Sequence, residues 1–255
     1  SGNLPITGAG HTINGSLAVG TATLSRGTLD PNTSPTKAVG TTGYVFSSIK
    51  ITAGSAEDIS LEQVRFNQSG SVASSNLANV KVELDGNSYE PTVPSDGKYY
   101  TAKFGTGVTI AKGLTKDVLI KGDIASGSGR TVDFDLYQYQ DVVVKGKTYG
   151  YYVTPTATVG TDCSGSTSCD DSEFQSINPR YDASQVAVGA GALVVSNSSA
   201  VPSGKIANGG LGQPLGAYTF DVTGEPISFT AWSLTVTTTS NAEPSTATFE
   251  NVTNF

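Results

Sequence analysis

The chain has 255 residues, 37% of them apolar, 15% charged and 8% aromatic, with 30 glycines and a net charge of −7. That length is enough to bury one or two ordinary cores, and abundant Gly, Ser, Thr and Tyr fit strands and turns better than helices. Acidity without a Lys/Arg cluster disfavours nucleic acid as a partner, and the longest near-continuous apolar run, "VAVGAGALVV" at 186–195, is about half of what a membrane span needs. There is no Met and no cationic, apolar leader, so the sequence is expected to begin after processing or at a chosen boundary.

Residues 1–16, "SGNLPITGAGHTINGS", precede the first strand signal and form a leader segment. Its His11 is the single histidine and has no Cys, Asp or Glu beside it, so no triad or metal cluster can be built on it. Asn14 in this leader, together with Asn32, Asn67, Asn197 and Asn251, heads an N-x-S/T sequence. Each is a candidate glycosylation site in an exported chain.

The first strand-rich unit is placed at 17–160. Within it "EDISLEQVRF", residues 57–66, alternates apolar and polar but loses step: Ile59 and Leu61 are followed by Val64 and Phe66 rather than by an apolar residue at 63. An extra residue in one strand of an antiparallel pair, a β-bulge, restores both halves to one face. Short alternating runs follow, namely "NVKVELDG", "GKYYTAKF", "KDVLIKGDI", "TVDFDLYQY" and "KTYGYYVT", punctuated by turn sequences such as "PSDG" and "SGSG". In "VDFDL", Val132, Phe134 and Leu136 face a core while Asp133 and Asp135 are expected on the wet side, about 7 Å apart at strand rise. A carboxylate pair serves glycosidases on β scaffolds, but the solvent-facing position argues against catalysis here.

An acidic linker, 161–185, carries Cys163 and Cys169 in "DCSGSTSC". The short Gly/Ser-rich spacing predicts a local disulfide and an oxidising compartment. Asp162, Asp170, Asp171 and Glu173 surround it and are candidate ligands for Ca²⁺, a hard cation that takes six to eight oxygens.

The second unit, 186–255, repeats landmarks of the first in the same order. Leu24 and Leu193 are 169 residues apart, Ile51 and Val222 171, Ile59 and Ile227 168, and Val80 and Val252 172. The slip recurs too, as Ile227 and Phe229 followed by Trp232 and Leu234. The second unit lacks counterparts of "DVLIKGDI", "VDFDLY" and "TYGYYV". A sheet without them exposes an unpaired edge and an apolar face. Either the chain continues, or a neighbouring subunit supplies a strand, or the unit closes with fewer strands; the leader is a candidate donor by β-augmentation.

The stretch "FSSIKITAGSAEDISLEQVRFNQSGSVASSNLANVKVELDG", followed by "GLTKDVLIKGDIASGSGRTVDFDL", resembles the repeated β-sandwich modules of large bacterial cell-surface proteins of S-layer or surface-filament type. The resemblance covers most of 40–140 and, more faintly, 215–252. It implies a scaffold and transfers no catalytic residue. The expectation is therefore an all-β protein of two consecutive antiparallel immunoglobulin-like sandwich domains, the second shorter or incomplete. Its role would be that of an extracellular, non-enzymatic structural protein self-assembling with copies of itself at the cell surface, with Ca²⁺ as the one cofactor the acidic loop leaves room for. The competing expectation is a glycan-binding or accessory module of a secreted enzyme or adhesin, with Tyr99, Tyr100, Tyr137, Tyr139, Tyr151 and Tyr152 as a stacking platform for a cell-surface glycan.

Overall fold

In the computed structural model, residues 8–10, 12, 14–160, 172–205 and 210–231 are described. The fold is all-β, as the composition requires. Its strands are β1 (Ala22–Arg26), β2 (Thr36–Ala38), β3 (Tyr44–Ala53), β4 (Ile59–Gly70), β5 (Leu77–Leu84), β6 (Asn87–Tyr89), β7 (Tyr99–Ile110), β8 (Thr115–Ile124), β9 (Thr131–Asp135), β10 (Val142–Gly146), β11 (Tyr152–Val153) and β12 (Thr156–Ala157). They are followed by β13 (Glu173–Phe174), β14 (Tyr181–Asp182), β15 (Val186–Gly189), β16 (Ala192–Asn197) and β17 (Tyr218–Thr223).

Two large sheets share one core. The first has the order β12-β1-β3-β8-β5-β6; the second has the order β11-β10-β4-β9-β15-β2, with β7 also paired to β4. Most pairs are antiparallel, while β1 with β12 and β2 with β15 run parallel. The apolar faces meet where Phe46 of β3 lies 5.1 Å from Phe134 of β9, centroid to centroid, and where Tyr89 of β6 meets Phe104 of β7 edge-on at 4.8 Å.

The slip in β4 is a bulge. Against β10, Leu61 pairs with Val144 and Gln63 with Val143, leaving Glu62 as the extra residue. Against β7, Leu61 pairs with Val108 and Gln63 with Lys103, so 104–107 are set out of register opposite the same point. Gly105 and Gly107 supply the positive φ values, 61° and 94°, that this detour uses. A Cβ on Gly107 would lie 2.0 Å from the Ser60 hydroxyl oxygen. The result is the one the spacing predicts: Ile59, Leu61, Val64 and Phe66 are all fully buried on one face.

Glu57, at the entry to this strand, is buried and ties three segments together. Its Oε1 accepts the Gly20 amide at 2.7 Å, and its Oε2 accepts those of Thr148 at 2.6 Å and Tyr149 at 3.3 Å. Burial acts to raise its carboxyl, but these amides and the Thr148 hydroxyl outweigh it and hold the group below its ordinary value. Its ionised form therefore stabilises the fold at neutral pH, and that contribution fades as acid protonates it.

Two sequence expectations are corrected. Asp133 and Asp135 do not face water: they are 5% and 3% exposed. The other side of β9 is covered by 172–184, a segment whose sequence reads as part of a linker; Leu136 and Tyr181 exchange backbone hydrogen bonds, and Phe174, Tyr181 and Ala183 join the core. β15, expected to open the second unit at 186, instead closes the second sheet, pairing with β9 and β2.

Candidate functional site

β16 and β17 form a separate two-stranded antiparallel ribbon, and among the described residues no third strand joins it. Its register repeats that of β1 and β3. Leu24 pairs with Ile51 and Thr23 with Thr52; Leu193 pairs with Val222 and Ala192 with Thr223. The sequence landmarks Leu24/Leu193 and Ile51/Val222 thus meet as partners in both ribbons.

The environments differ. In the first ribbon Leu24, Ile49 and Ile51 are at most 1% exposed; their counterparts Leu193, Phe220 and Val222 are 38%, 41% and 42% exposed. Cross-strand pairing puts Leu193, Val195, Tyr218, Phe220 and Val222 on one face, where the Phe220 and Phe229 rings meet edge-on at 5.2 Å. The first ribbon is flanked by β8 beyond β3 and by β12 beyond β1, and its Leu24, Ile49 and Ile51 belong to the core that both sheets share. A lone hairpin is marginal in water, because one ribbon cannot cover its own apolar face. Trp232 and Leu234, needed to compare the second slip, lie outside the described residues, as does Asn251.

A second cluster lies inside the first unit. Carboxylate oxygens of Asp133, Asp135 and Asp182 fall within 4.8 Å of one another and could hold a metal ion. Asp135 Oδ1 accepts the Ala183 amide at 3.0 Å. The Ser69 hydroxyl contacts both Asp133 and Asp135, the latter at 3.0 Å. A serine hydroxyl has one hydrogen to give, so Ser69 can donate to only one of the two carboxyls at a time. Burial, with the Asp133 charge next, pushes the Asp135 carboxyl up to about 8, which favours its neutral form. Alternation alone gave no signal for this cluster, because Asp182 and the covering segment are remote in sequence.

The remaining predicted sites are dispersed. His11, Cys163, Cys169, Asp162, Asp170 and Asp171 lie outside the described residues. Glu173 is half-buried on β13 and pairs across strands with Asp182 of the buried cluster. Asn14, Asn32 and Asn197 are exposed, whereas Asn67 sits within β4 between Tyr99 of β7 and Asp135 of β9. The tyrosine platform is broken up. Tyr100 is buried and donates to Gln68 at 3.0 Å. Tyr139 starts a 3₁₀ turn and stacks on Phe174, so it does not share a strand face with Tyr137. Tyr151 and Tyr152 are exposed, and so is Tyr149, which the sequence reading missed. A surface groove of about 450 Å³ beside Leu77, Val80, Val93 and Tyr100 is lined by no carboxylate, histidine or lysine, and so lacks an acid–base pair. Among the described residues no helix is long and apolar enough to cross a membrane.

No family model matches the chain, and no curated protein matches it.

Proposed function

We propose that the protein is an extracellular structural protein that self-assembles into a surface layer or filament through tandem immunoglobulin-like sandwich modules, the second of them completed from outside. One observation carries this reading: β16 and β17 repeat the register of β1 and β3, yet leave uncovered the face that the first ribbon buries. A two-stranded ribbon with a half-exposed apolar face is a template for another chain. The Cys163–Cys169 spacing supports an oxidising, exported setting. Ca²⁺ held by the acidic loop or the neighbouring aspartates belongs to the same proposal, as a stiffener of the join between modules. In this reading the work is done by backbone pairing and packing rather than by catalysis.

Analytical ultracentrifugation and negative-stain electron microscopy of the purified chain test the assembly. Size that grows with concentration and ordered polymers are expected, and a monomer at every concentration overturns the reading.

The second reading, a glycan-binding module, has its own observation: Tyr149, Tyr151 and Tyr152 are 47%, 57% and 65% exposed in one short segment. Aromatic faces of this kind stack on sugar rings. Binding on a glycan array that disappears in Tyr151→Ala/Tyr152→Ala favours it, and a blank array removes it.

A further inference from the structure

We infer that the outer face of the second sheet beside β11 binds a carboxylated polysaccharide of the uronic acid type, with a sugar ring on Tyr152 and carboxylates at Lys103, Lys145 and Lys147. This deepens the glycan-binding reading and rests on it. Pairing sets Tyr152 of β11 opposite Lys145 of β10, Lys145 opposite Ser60 of β4, and Ser60 opposite Thr109 of β7. Residues directly opposite one another share a face. This row points away from the core, because its sequence neighbours Ile59, Leu61, Ile110 and Val144 are the buried ones. With strands about 4.8 Å apart the row is roughly 14 Å long, an open track suited to an extended chain. Lys147, in the turn after β10, reaches its far end, where Nζ donates to the Thr109 hydroxyl at 2.9 Å. In the next outward row Lys103 of β7 lies opposite Gln63 and is exposed.

The charge on this track opposes the net −7 of the chain. Among the described residues none of the three lysines is in an ion pair. The carboxylates nearby are engaged by other groups: Glu62 accepts the Tyr152 hydroxyl at 3.1 Å, Asp58 accepts the Lys112 amide at 2.9 Å, and Asp141 pairs with Arg65. The lysines therefore keep their charge for an anion from outside, and an ammonium on a carboxylate makes a charge-assisted hydrogen bond. Lys103 and Lys145 come from different strands, so no cluster shows in the sequence.

The aromatic part of the track is held in place before any sugar arrives. Glu62, the extra residue of the bulge, fixes the Tyr152 hydroxyl, and Lys145 Nζ lies over one face of the ring, 5.4 Å from its centroid. A side chain already ordered costs less to use in binding, and an exposed aromatic face stacks on the C–H face of a sugar. A uronic acid carries its carboxylate on the ring itself, so a ring on Tyr152 brings that group within reach of Lys145, whose flexible stem lets the ammonium turn to meet it.

Calorimetric titration of the full chain with a uronic acid hexamer tests this, beside a neutral glucose hexamer, a sulfated one and duplex DNA. The uronic acid hexamer is expected to bind where the neutral one does not. Lys145→Gln/Lys147→Gln and Tyr152→Ala should each weaken it by at least about tenfold, with thermal melts like the wild type. Glu62→Gln keeps an acceptor for Tyr152 and removes a negative charge, so it should tighten binding by about threefold. A neutral hexamer that binds as well as the acidic one overturns the inference and leaves the glycan reading intact. Sulfated hexamer bound in place of the uronic acid one, or DNA bound as tightly and indifferent to Tyr152→Ala, also overturns it. If no sugar binds, the inference and the glycan reading fall together.

Discussion

A chain lacking Glu62 is expected to lose its cooperative fold, while Glu62→Ala unfolds close to the wild type. Glu62 is the residue by which β4 gains one position over β10. Without it, the strand must send either Ile59 and Leu61 or Val64 and Phe66 to the opposite face, and all four are fully buried. Burying one such side chain contributes about 1.5–3 kcal/mol, so two misplaced residues forfeit roughly 3–6 kcal/mol, before counting Gln63 or Arg65 driven inward. That is comparable with the whole stability of an ordinary domain, about 5–15 kcal/mol. In Glu62→Ala the extra backbone residue remains, and what is lost is an exposed hydrogen bond from the Tyr152 hydroxyl at 3.1 Å, with an effect of about 0.5 kcal/mol. Urea unfolding followed by circular dichroism separates the two variants. Near-native stability in the deletion would show that the bulge does not set the register.

Stability is expected to fall between pH 5 and pH 8, and Asp135→Asn to flatten that fall. The Asp135 carboxyl, at about 8 in the folded protein, lies above the ordinary value of 3.8 it regains on unfolding. Between those two values the folded state holds a proton that the unfolded state has released. The stabilisation is therefore complete below the lower value and lost as the pH rises through the upper one. The slope is at most about 1.4 kcal/mol per pH unit. Asparagine keeps the acceptor for the Ala183 amide and supplies an N–H to Ser69, so the variant should fold and show a weaker pH dependence in thermal melts. An unchanged slope would mean that Asp135 is ionised at neutral pH. Repeating the melts in EDTA tests Ca²⁺ in the same experiment: a cation near these aspartates replaces the proton, and its removal lowers the melting temperature at pH 8. Identical curves with and without chelator end the Ca²⁺ proposal.

The strand content, a bulge between Leu61 and Val64 and the duplication of landmarks are legible in the chain itself; that Glu62 is the extra residue comes from the register. Alternation with a period of two is a local property, and a slip in it leaves few geometric solutions. Leu24 and Leu193, and Ile51 and Val222, stand out as matching landmarks in the sequence because the same ribbon register calls for apolar residues at corresponding points; that Leu24 meets Ile51, and Leu193 meets Val222, across strands is seen only in the structure. Only the tertiary structure decided what covers each face. Asp133 and Asp135 look solvent-facing on their own strand, but 172–184 folds across them, and no pattern within "VDFDL" reports a segment some forty residues away. β15 reads as the start of a new unit, yet pairs with β9 and β2. Periodicity fixes which side chains share a face, whereas burial depends on long-range pairing, and that is why the carboxylate cluster and the uncovered ribbon emerged only in three dimensions.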